Sequence, residues 1–216
     1  MLRMIAGITK RWGSETAKRR VWDEEYSSGK WDLSGAKPPS VRDPIYQFLD
    51  RHGLGARILD LGCGTGVTAL EMTAAFREYI GVDVSDVAIV TANREAYRNS
   101  TCAGKTRFCV GDISDFAPVG EFDVILFRES IYYLPTHQIK KALDHYGSYL
   151  SENGVFIFRL CNRNKYSSII DLLEKNFRVH EKFTPEDTKT AIIVCSPRSS
   201  KTAVVRDVPD FLGRAK

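Results

Sequence analysis

The residues most able to do chemistry begin with a glycine-rich stretch, Leu59–Gly66, in which Gly62, Gly64 and Gly66 alternate with other residues. Glycines allow a backbone to turn sharply and to approach a ligand closely. The spacing differs from the dinucleotide pattern G-x-G-x-x-G, whose third glycine would stand at Val67. No Gly-Lys-Ser/Thr follows, so the Walker phosphate loop is excluded as well.

Acidic residues follow the glycine stretch at the ends of predicted strands. Asp83 lies about 20 residues beyond it, where a carboxylate can accept hydrogen bonds from both hydroxyls of a ribose. Asp112 is placed to accept from an adenine amino group, with Ile113 packed on the ring. With Asp60, these stretches offer three acids and no lysine, which favours a cationic or neutral ligand over a phosphate. Alternatively, Asp60 and Asp83 only cap local turns.

A second reactive group follows Phe127, at the end of the fourth predicted strand. Glu129 could deprotonate a hydroxyl or accept a hydrogen bond from a substrate amine. Tyr132 and Tyr133 could wall a pocket, and an aromatic face can stabilise a cation. The alternatives are an ion pair between Glu129 and Arg128, a local cap, and packing of the tyrosines in the core.

The elements that must position these side chains are seven short, mostly apolar runs that alternate with helix-like segments. Continuous apolar runs are typical of strands buried on both faces. The predicted strands are Arg57–Leu61, Tyr79–Val84, Thr106–Val110, Phe122–Phe127, Val155–Leu160, Phe177–Phe183 and Ala191–Cys195, and the main predicted helices are Val41–His52, Val67–Phe76, Val87–Asn99, Thr136–Leu150 and Tyr166–Lys175. This order predicts an α/β fold with a doubly wound, mostly parallel seven-stranded sheet and helices on both faces.

Three regions are predicted along the chain. Residues 1–40 form an N-terminal segment, helical over part of Ala17–Trp31, whose Trp22, Tyr26 and Trp31 suit a lid over a ligand. Pro38 and the proline after it separate this segment from a ligand-binding domain at 41–197. Residues 198–216 form a basic tail. No long insertion follows the fifth strand, which predicts a fairly open pocket.

Composition and charge narrow the class of protein further. Hydrophobic residues make up 43% of the 216, which is typical of a globular protein. Five scattered cysteines favour reduced thiols and a cytoplasmic location. The net charge of +4 combines two basic ends with an acidic middle. The basic ends are either simply solvated or weakly attracted to an anionic surface such as lipid headgroups.

The order and spacing of Leu59–Gly66, Gly81–Ser85, Gly111–Ile113 and Phe122–Leu134 resemble those of the class I S-adenosylmethionine-dependent methyltransferases over roughly residues 41–195. The resemblance implies a Rossmann-like fold with S-adenosylmethionine as cofactor. It implies that the three glycines pass beside the methionine part, that Asp83 holds the ribose, and that Asp112 and Ile113 hold the adenine. The residues predicted to bind the cofactor are Trp31, Asp60, Gly62, Cys63, Gly64, Gly66, Asp83, Val84, Asp112, Ile113 and Arg128.

The predicted reaction is methyl transfer to an oxygen or nitrogen of a small molecule or a saccharide- or lipid-linked acceptor, with Glu129, Tyr132 and Tyr133 as catalytic residues. The loop after Phe127 lacks Asn-Pro-Pro-Tyr and Asp-Pro-Pro-Tyr, which argues against methylation of amide or exocyclic amino nitrogens. Its run Glu-Ser-Ile-Tyr-Tyr-Leu resembles small bacterial methyltransferases that act on sugars, saccharide-linked lipids or amino sugars. We expect no metal and no nucleic-acid partner. The alternatives are methylation of an RNA or protein, and a non-catalytic binder of the cofactor.

Overall fold

A computed structural model describes residues 2–31 and 43–198, and it contains one seven-stranded sheet. The strands are β1 (Arg57–Leu61), β2 (Glu78–Asp83), β3 (Thr106–Val110), β4 (Phe122–Arg128), β5 (Leu150–Leu160), β6 (Phe177–Phe183) and β7 (Ala191–Pro197). Their order is β3-β2-β1-β4-β5-β7-β6, and β7 runs antiparallel to both of its neighbours, β5 and β6. The predicted fold class is confirmed, and each predicted strand is present with small shifts of its ends, except that β5 begins five residues before the predicted Val155.

Seven α-helices accompany the sheet within these residues: α1 (Leu2–Trp12), α2 (Glu15–Ser27), α3 (Ile45–His52), α4 (Val67–Glu71), α5 (Asp86–Arg98), α6 (Thr136–Gly147) and α7 (Ser167–Asn176); a 3₁₀ helix spans Ile131–Tyr133. Serine caps begin two of them, because Ser14 accepts from Ala17 N–H and Ser85 accepts from Ala88 N–H. Helix α1 was not predicted.

Helix α4 is five residues shorter than the predicted Val67–Phe76. The carboxylate of Asp50 accepts hydrogen bonds from the backbone N–H groups of Thr73 and Ala74, at 3.0 and 3.1 Å, and from the Thr73 hydroxyl. A side chain that satisfies these backbone groups gives the chain an alternative to continuing the helix.

The sheet is buried on both faces, as its apolar strands require. In β4, Ile125 and Phe127 belong to one hydrophobic cluster, which includes residues of α6 and α7, whereas Val124 and Leu126 belong to another, which includes residues of α3 and α5. All four side chains are fully buried. This packing holds the carboxyl ends of the parallel strands along one edge of the sheet, where ligands bind in such folds.

Among the described residues, no helix has the length and apolar character needed to cross a membrane. The predicted break at Pro38, the remainder of segment 32–40, Val41 at the predicted start of α3, and residues 199–216 of the basic tail lie outside the described residues. The domain boundaries therefore stay predictions.

Gly81 in β2 provides a test of the packing beneath the site. A methyl group at Gly81 would lie 2.9 Å from Cys63 Sγ and closer still to the ring of Phe108. We expect Gly81→Ala to lower the free energy of unfolding by about 1–3 kcal/mol through overpacking. Urea denaturation measures the change. The control is Gly7→Ala in α1, where a methyl group meets nothing within 4 Å, and equal destabilisation by both variants would contradict the interpretation.

Candidate active site

A cavity of about 640 Å³ opens at the carboxyl ends of the parallel strands. Its volume lies in the range of small-molecule and cofactor sites. Of the predicted site residues, all except Asp60 and Gly66 line it. The other lining residues are Lys10, Lys18, Trp22, Tyr26, Asp43, Thr65, Val67, Thr68, Ser130, Leu134, Arg159 and Cys161.

The glycine loop between β1 and α4 has the left-handed backbone that its sequence requires. The φ angles of Gly62, Gly64 and Gly66 are 83°, 55° and 77°, a region that other residues adopt only with strain. Space is also limiting, since a Cβ at Gly62 would lie 2.5 Å from the Cβ of Ser130. The loop can therefore bring bare backbone to the cavity wall.

Asp83, at the end of β2, fixes this loop. Its Oδ2 accepts a hydrogen bond from Gly64 N–H at 2.9 Å, and its Oδ1 accepts from Ser85 N–H at 3.0 Å. Burial raises the pKa of Asp83 to about 6, although these backbone donors oppose the shift. Each carboxylate oxygen can accept a further hydrogen bond, so Asp83 keeps the capacity to bind ligand hydroxyls.

Two buried oxygen atoms close to the glycine loop lack a hydrogen-bond partner within the described part of the chain: Asp60 Oδ1 and Ser130 Oγ. The other oxygen of Asp60 accepts from the Tyr79 hydroxyl at 2.5 Å. Burial raises the pKa of Asp60 to about 6, against the hydrogen bond from Tyr79. Buried polar atoms normally have partners, so these two atoms indicate a place where a ligand's polar groups or water complete the bonding.

Asp112, after β3, is held by a lysine that the sequence did not indicate. Lys18 Nζ lies 2.7 Å from its Oδ2, and Ser114 N–H donates to its Oδ1 at 2.9 Å. Burial by itself raises the pKa of Asp112, but the hydrogen bonds from Lys18 and Ser114 outweigh it and lower the pKa. The expectation that no lysine belongs to the site is therefore wrong, because α2 brings Lys18 to the cavity from a distant part of the chain.

Helix α2 lies across the ends of β2 and β3. Besides the Lys18 contact after β3, Asp23 accepts hydrogen bonds from the Ser85 hydroxyl at 2.6 Å and from Val87 N–H at 3.2 Å. Asp23 Oδ1 accepts both bonds, and both donors lie at the start of α5. Two polar contacts thus fix α2 over the predicted ribose and adenine positions.

The same face of α2 also reaches the loops after β1 and β4. The Tyr26 hydroxyl lies 2.8 Å from the point that a Cβ at Gly64 would occupy. The ring of Trp22 packs edge-on against Tyr133, with centroids 4.9 Å apart. N-terminal helices therefore form part of the cavity wall, and the expectation of a fairly open pocket stays a prediction.

Lys10 of α1 also lines the cavity, and its side chain is buried against aromatic rings. Its side chain is 8% exposed, and its Nζ lies 3.6 Å from the ring centroid of Trp22 and 2.6 Å from Glu25 Oε2. Trp31, predicted to contact the cofactor, donates its indole N–H to the same carboxylate oxygen at 2.9 Å. Burial raises the pKa of Glu25, but hydrogen bonds from Lys10, Lys30 and Trp31 reverse the shift and lower it to about 2.

Glu129 stands where β4 ends, and it is the one described non-glycine residue with a positive φ, at 59°. Arg159 forms an ion pair with its Oε1. Its Oε2 accepts from the Tyr132 hydroxyl at 2.6 Å and from Cys161 N–H at 3.1 Å. The ion pair considered for Glu129 is therefore present, but its partner is Arg159 rather than Arg128.

Arg128 instead contacts side chains of α3 and α4. Its Nη1 donates to the Tyr46 hydroxyl at 2.9 Å and to Thr68 Oγ1 at 3.2 Å. Asp43 connects the two arginines, at 3.5 Å from Arg128 Nη2 and 2.8 Å from Arg159 Nε. The sequence contained a signal for Arg159 that was missed, since a charged residue ends the buried strand β5 directly opposite Arg128.

Of the two tyrosines after Glu129, Tyr132 combines both roles considered for them, whereas Tyr133 lines the cavity. Tyr132 stacks on Tyr166 with a centroid distance of 4.1 Å and packs against the core, yet it also lines the cavity. Burial raises the pKa of Tyr132, and the neighbouring Glu129 carboxylate raises it further. Tyr132 therefore stays a protonated hydrogen-bond donor.

Comparison with known proteins places this site in a family. A family model described as "Methyltransferase domain" matches residues 58–154. The chain is 33% identical over 93 residues to a magnesium-protoporphyrin O-methyltransferase of Rhodobacter capsulatus, covering 43% of this chain and 40% of that protein. It is 29% identical over 173 residues to a ubiquinone biosynthesis O-methyltransferase of Alkalilimnicola ehrlichii, covering 74% and 68%. The first two curated relatives are thus matched over less than half of their length, 40% and 47%.

Solved structures show the same fold. A magnesium protoporphyrin IX methyltransferase from Synechocystis PCC 6803 with bound S-adenosylmethionine has a TM-score of 0.66 at 16% identity, covering 84% of this chain and 96% of that one. The N-methyltransferase NodS of Bradyrhizobium japonicum, with bound S-adenosyl-L-homocysteine, has a TM-score of 0.63 at 20% identity, covering 82% and 100%.

Residues 58–154 thus match a methyltransferase domain, and the relatives and structural neighbours named above are methyltransferases that use S-adenosylmethionine as cofactor. The residues present fit this group. The cofactor carries hydroxyl, amino and sulfonium groups, and the cavity offers the acids Asp83 and Asp112, bare glycine backbone, and the side chain of Ser130, whose Oγ lacks a partner among the described residues. The residue-by-residue assignments made from the resemblance stay predictions.

Asp83 predicts how cofactor affinity depends on pH. The pKa of Asp83 is raised to about 6, so the carboxyl group is ionised well above that pH and protonated well below it. The ionised form is the better acceptor for ribose hydroxyls. We expect calorimetry to give an affinity about tenfold weaker at one pH unit below the pKa than at neutral pH. The stability of the ligand-free protein changes with pH in the opposite direction. A raised carboxyl pKa makes the folded protein less stable as pH rises from about 4 to 6.

The variant Asp83→Asn separates this effect from the titration of Asp60, whose pKa is also raised to about 6. We expect weaker binding at neutral pH and a flatter pH profile than in the wild type. Identical profiles for the two proteins would show that Asp83 is not the titrating group.

Proposed function

We propose that this protein transfers a methyl group from S-adenosylmethionine to an oxygen or nitrogen atom of a small molecule or of a saccharide- or lipid-linked acceptor. The observation that carries the proposal is a single cavity lined by the glycine loop, by Asp83 and Asp112, and by Glu129. When bound, the cofactor supplies a methyl group already activated on a sulfonium sulfur. The protein must then align an acceptor with it and exclude water.

Alignment and exclusion of water are the tasks for which the cavity is built. Trp22, Tyr26 and Trp31 from the N-terminal segment and Tyr132 and Tyr133 from the core side line it. Rigid aromatic walls restrict the acceptor's orientation, and fixing two reactants in a reactive geometry can lower a barrier by about 7–11 kcal/mol. We infer that the N-terminal helices act as the lid that the sequence predicts.

Glu129 is the group proposed to take the proton of the acceptor. Among the described residues, Oε2 already accepts from Tyr132 and Cys161, whereas Oε1 accepts from Arg159 alone. A carboxylate oxygen has two acceptor positions, so Oε1 retains one for an acceptor hydroxyl or amine. The three donors fix the carboxylate's orientation, and a positioned base contributes about 10²–10⁴-fold.

Oxygen is the favoured acceptor atom, because several relatives carry "O-methyltransferase" in their names, with magnesium-protoporphyrin and ubiquinone biosynthesis as the named contexts. Those names also support a small-molecule acceptor. An N-methyltransferase among the structural neighbours keeps nitrogen in consideration. Methylation of an RNA or protein is less well supported, because α1 and α2 cover the cavity that a macromolecule would have to reach.

The decisive experiment incubates the protein with cofactor carrying a labelled methyl group and with fractionated metabolites and lipids. Label in a small-molecule or lipid fraction supports the proposal, and label only in RNA or protein replaces it with the macromolecular alternative. Cofactor binding by calorimetry without label in any fraction favours a non-catalytic binder.

Once an acceptor is known, Glu129→Gln tests the proposed base. We expect kcat to fall by about 10²–10⁴-fold for a hydroxyl acceptor, with little change in cofactor affinity. The matched control is Glu174→Gln, which removes a surface carboxylate paired with Lys182. Full kcat in Glu129→Gln would eliminate the role as base.

A further inference from the structure

Helix α1 presents three large apolar side chains to solvent. Ile5, Ile8 and Trp12 are 51%, 55% and 59% exposed. Their spacing of three and four residues places them along one stripe of the helix, because residues so spaced lie on the same face. These three side chains are called the α1 stripe below.

The orientation of α1 is the reverse of the usual one. An amphipathic helix on a globular protein normally buries its apolar stripe and exposes its charged residues. Here Lys10 points inward and is buried against Trp22, whereas the α1 stripe points outward. The orientation is held by contacts, since Arg11 donates to Thr136 Oγ1 at 2.6 Å and Lys10 pairs with Glu25.

The charge of α1 indicates what covers the stripe. Its sequence, LRMIAGITKRW, contains three basic residues and no acidic one. A helix with an apolar face and only positive charges is typical of segments that lie in the interface of an anionic membrane. From these observations we propose that α1 binds the surface of an anionic lipid bilayer, with the α1 stripe inserted among the headgroups.

A second copy of the chain is a poorer occupant of the same stripe. Stable protein interfaces involve about 20–30 residues from each partner, whereas the α1 stripe has three. Two copies meeting through α1 would also bring like charges together, which opposes association. A bilayer needs no matching residue set and supplies the negative charge.

The position of α1 relates this surface to the cavity. Lys10, on the inner side of the same helix, lines the cavity that the glycine loop and Glu129 also line. A bilayer in contact with the α1 stripe would lie beside that wall of the cavity, within reach of an acceptor carried by lipid. The proposal concerns the outer face of α1 and does not require that the protein transfer methyl groups.

The test is flotation of the full chain with vesicles of phosphatidylcholine alone and of phosphatidylcholine with phosphatidylglycerol. We expect binding to the anionic vesicles that weakens with salt. The double variant Ile5→Ser/Ile8→Ser should reduce the partition coefficient about tenfold. The matched control is Val90→Ser/Tyr97→Ser on α5, which removes side chains that are 66% and 88% exposed, and it should bind like the wild type.

Three results would overturn the proposal. The wild type could fail to float with anionic vesicles, or the α1 variant could bind them as well as the wild type does, which would assign binding to another basic region. Alternatively, light scattering could show a dimer that the α1 variant abolishes, which would make a second copy the occupant. Calorimetry with the cofactor on each variant shows that the fold and the cofactor site are intact, so loss of vesicle binding is separable from loss of the proposed function.

Discussion

The hydrogen bond from Gly64 N–H to the carboxylate of Asp83 joins the ends of the adjacent strands β1 and β2. Because the loop between β1 and α4 has left-handed glycines, its backbone would be free to adopt many conformations without such an anchor. A hydrogen bond to a charged group contributes about 1.5–3 kcal/mol, which is enough to select one of them. The shape of the cavity wall therefore depends on a carboxylate that is itself buried at a cost, as its raised pKa shows.

Helix α2 fixes the other loops of the cavity rim in the same way, through side-chain contacts. Lys18, Asp23 and the aromatic pair Trp22 and Tyr26 each contact a different strand-end loop. The sheet provides the floor of the cavity, and an element from outside the doubly wound domain provides its cover. Polar contacts at the rim are easier to open than a packed core, since their groups can bond to water instead. This division suits a cover that must admit a cofactor and an acceptor.

The sequence predicted the sheet well because each strand is a short apolar run with little else to compete with its pattern. The glycine loop and the acids at the ends of β2 and β3 were predictable for a related reason, since topology alone brings strand ends together. Lys18 and Lys10 could not be predicted in this way. Their helices are distant in sequence, and nothing in their local pattern says that a basic side chain will face inward.

Arg159 is an intermediate case. Its register opposite Arg128 follows from the parallel pairing of β4 and β5, so its approach to the cavity was predictable. Its partner was not, because neighbouring residues of a strand point to opposite faces, and the side chain of Glu129 escapes that rule through its positive φ. A one-residue change of backbone conformation thus decides which arginine the carboxylate meets.

The positive φ of Glu129 strains the backbone at the end of β4. A non-glycine residue in the left-handed region is destabilised by about 1–2 kcal/mol, and it persists only where the surroundings determine it. Arg159, the Tyr132 hydroxyl and Cys161 N–H do so together, and all three are donors to one carboxylate. A glycine would occupy the same turn without strain. Local packing therefore does not explain why a glutamate held by three donors stands at this position. The arrangement instead holds one carboxylate in a fixed direction at the cavity wall, which is the property a positioned acceptor of protons needs.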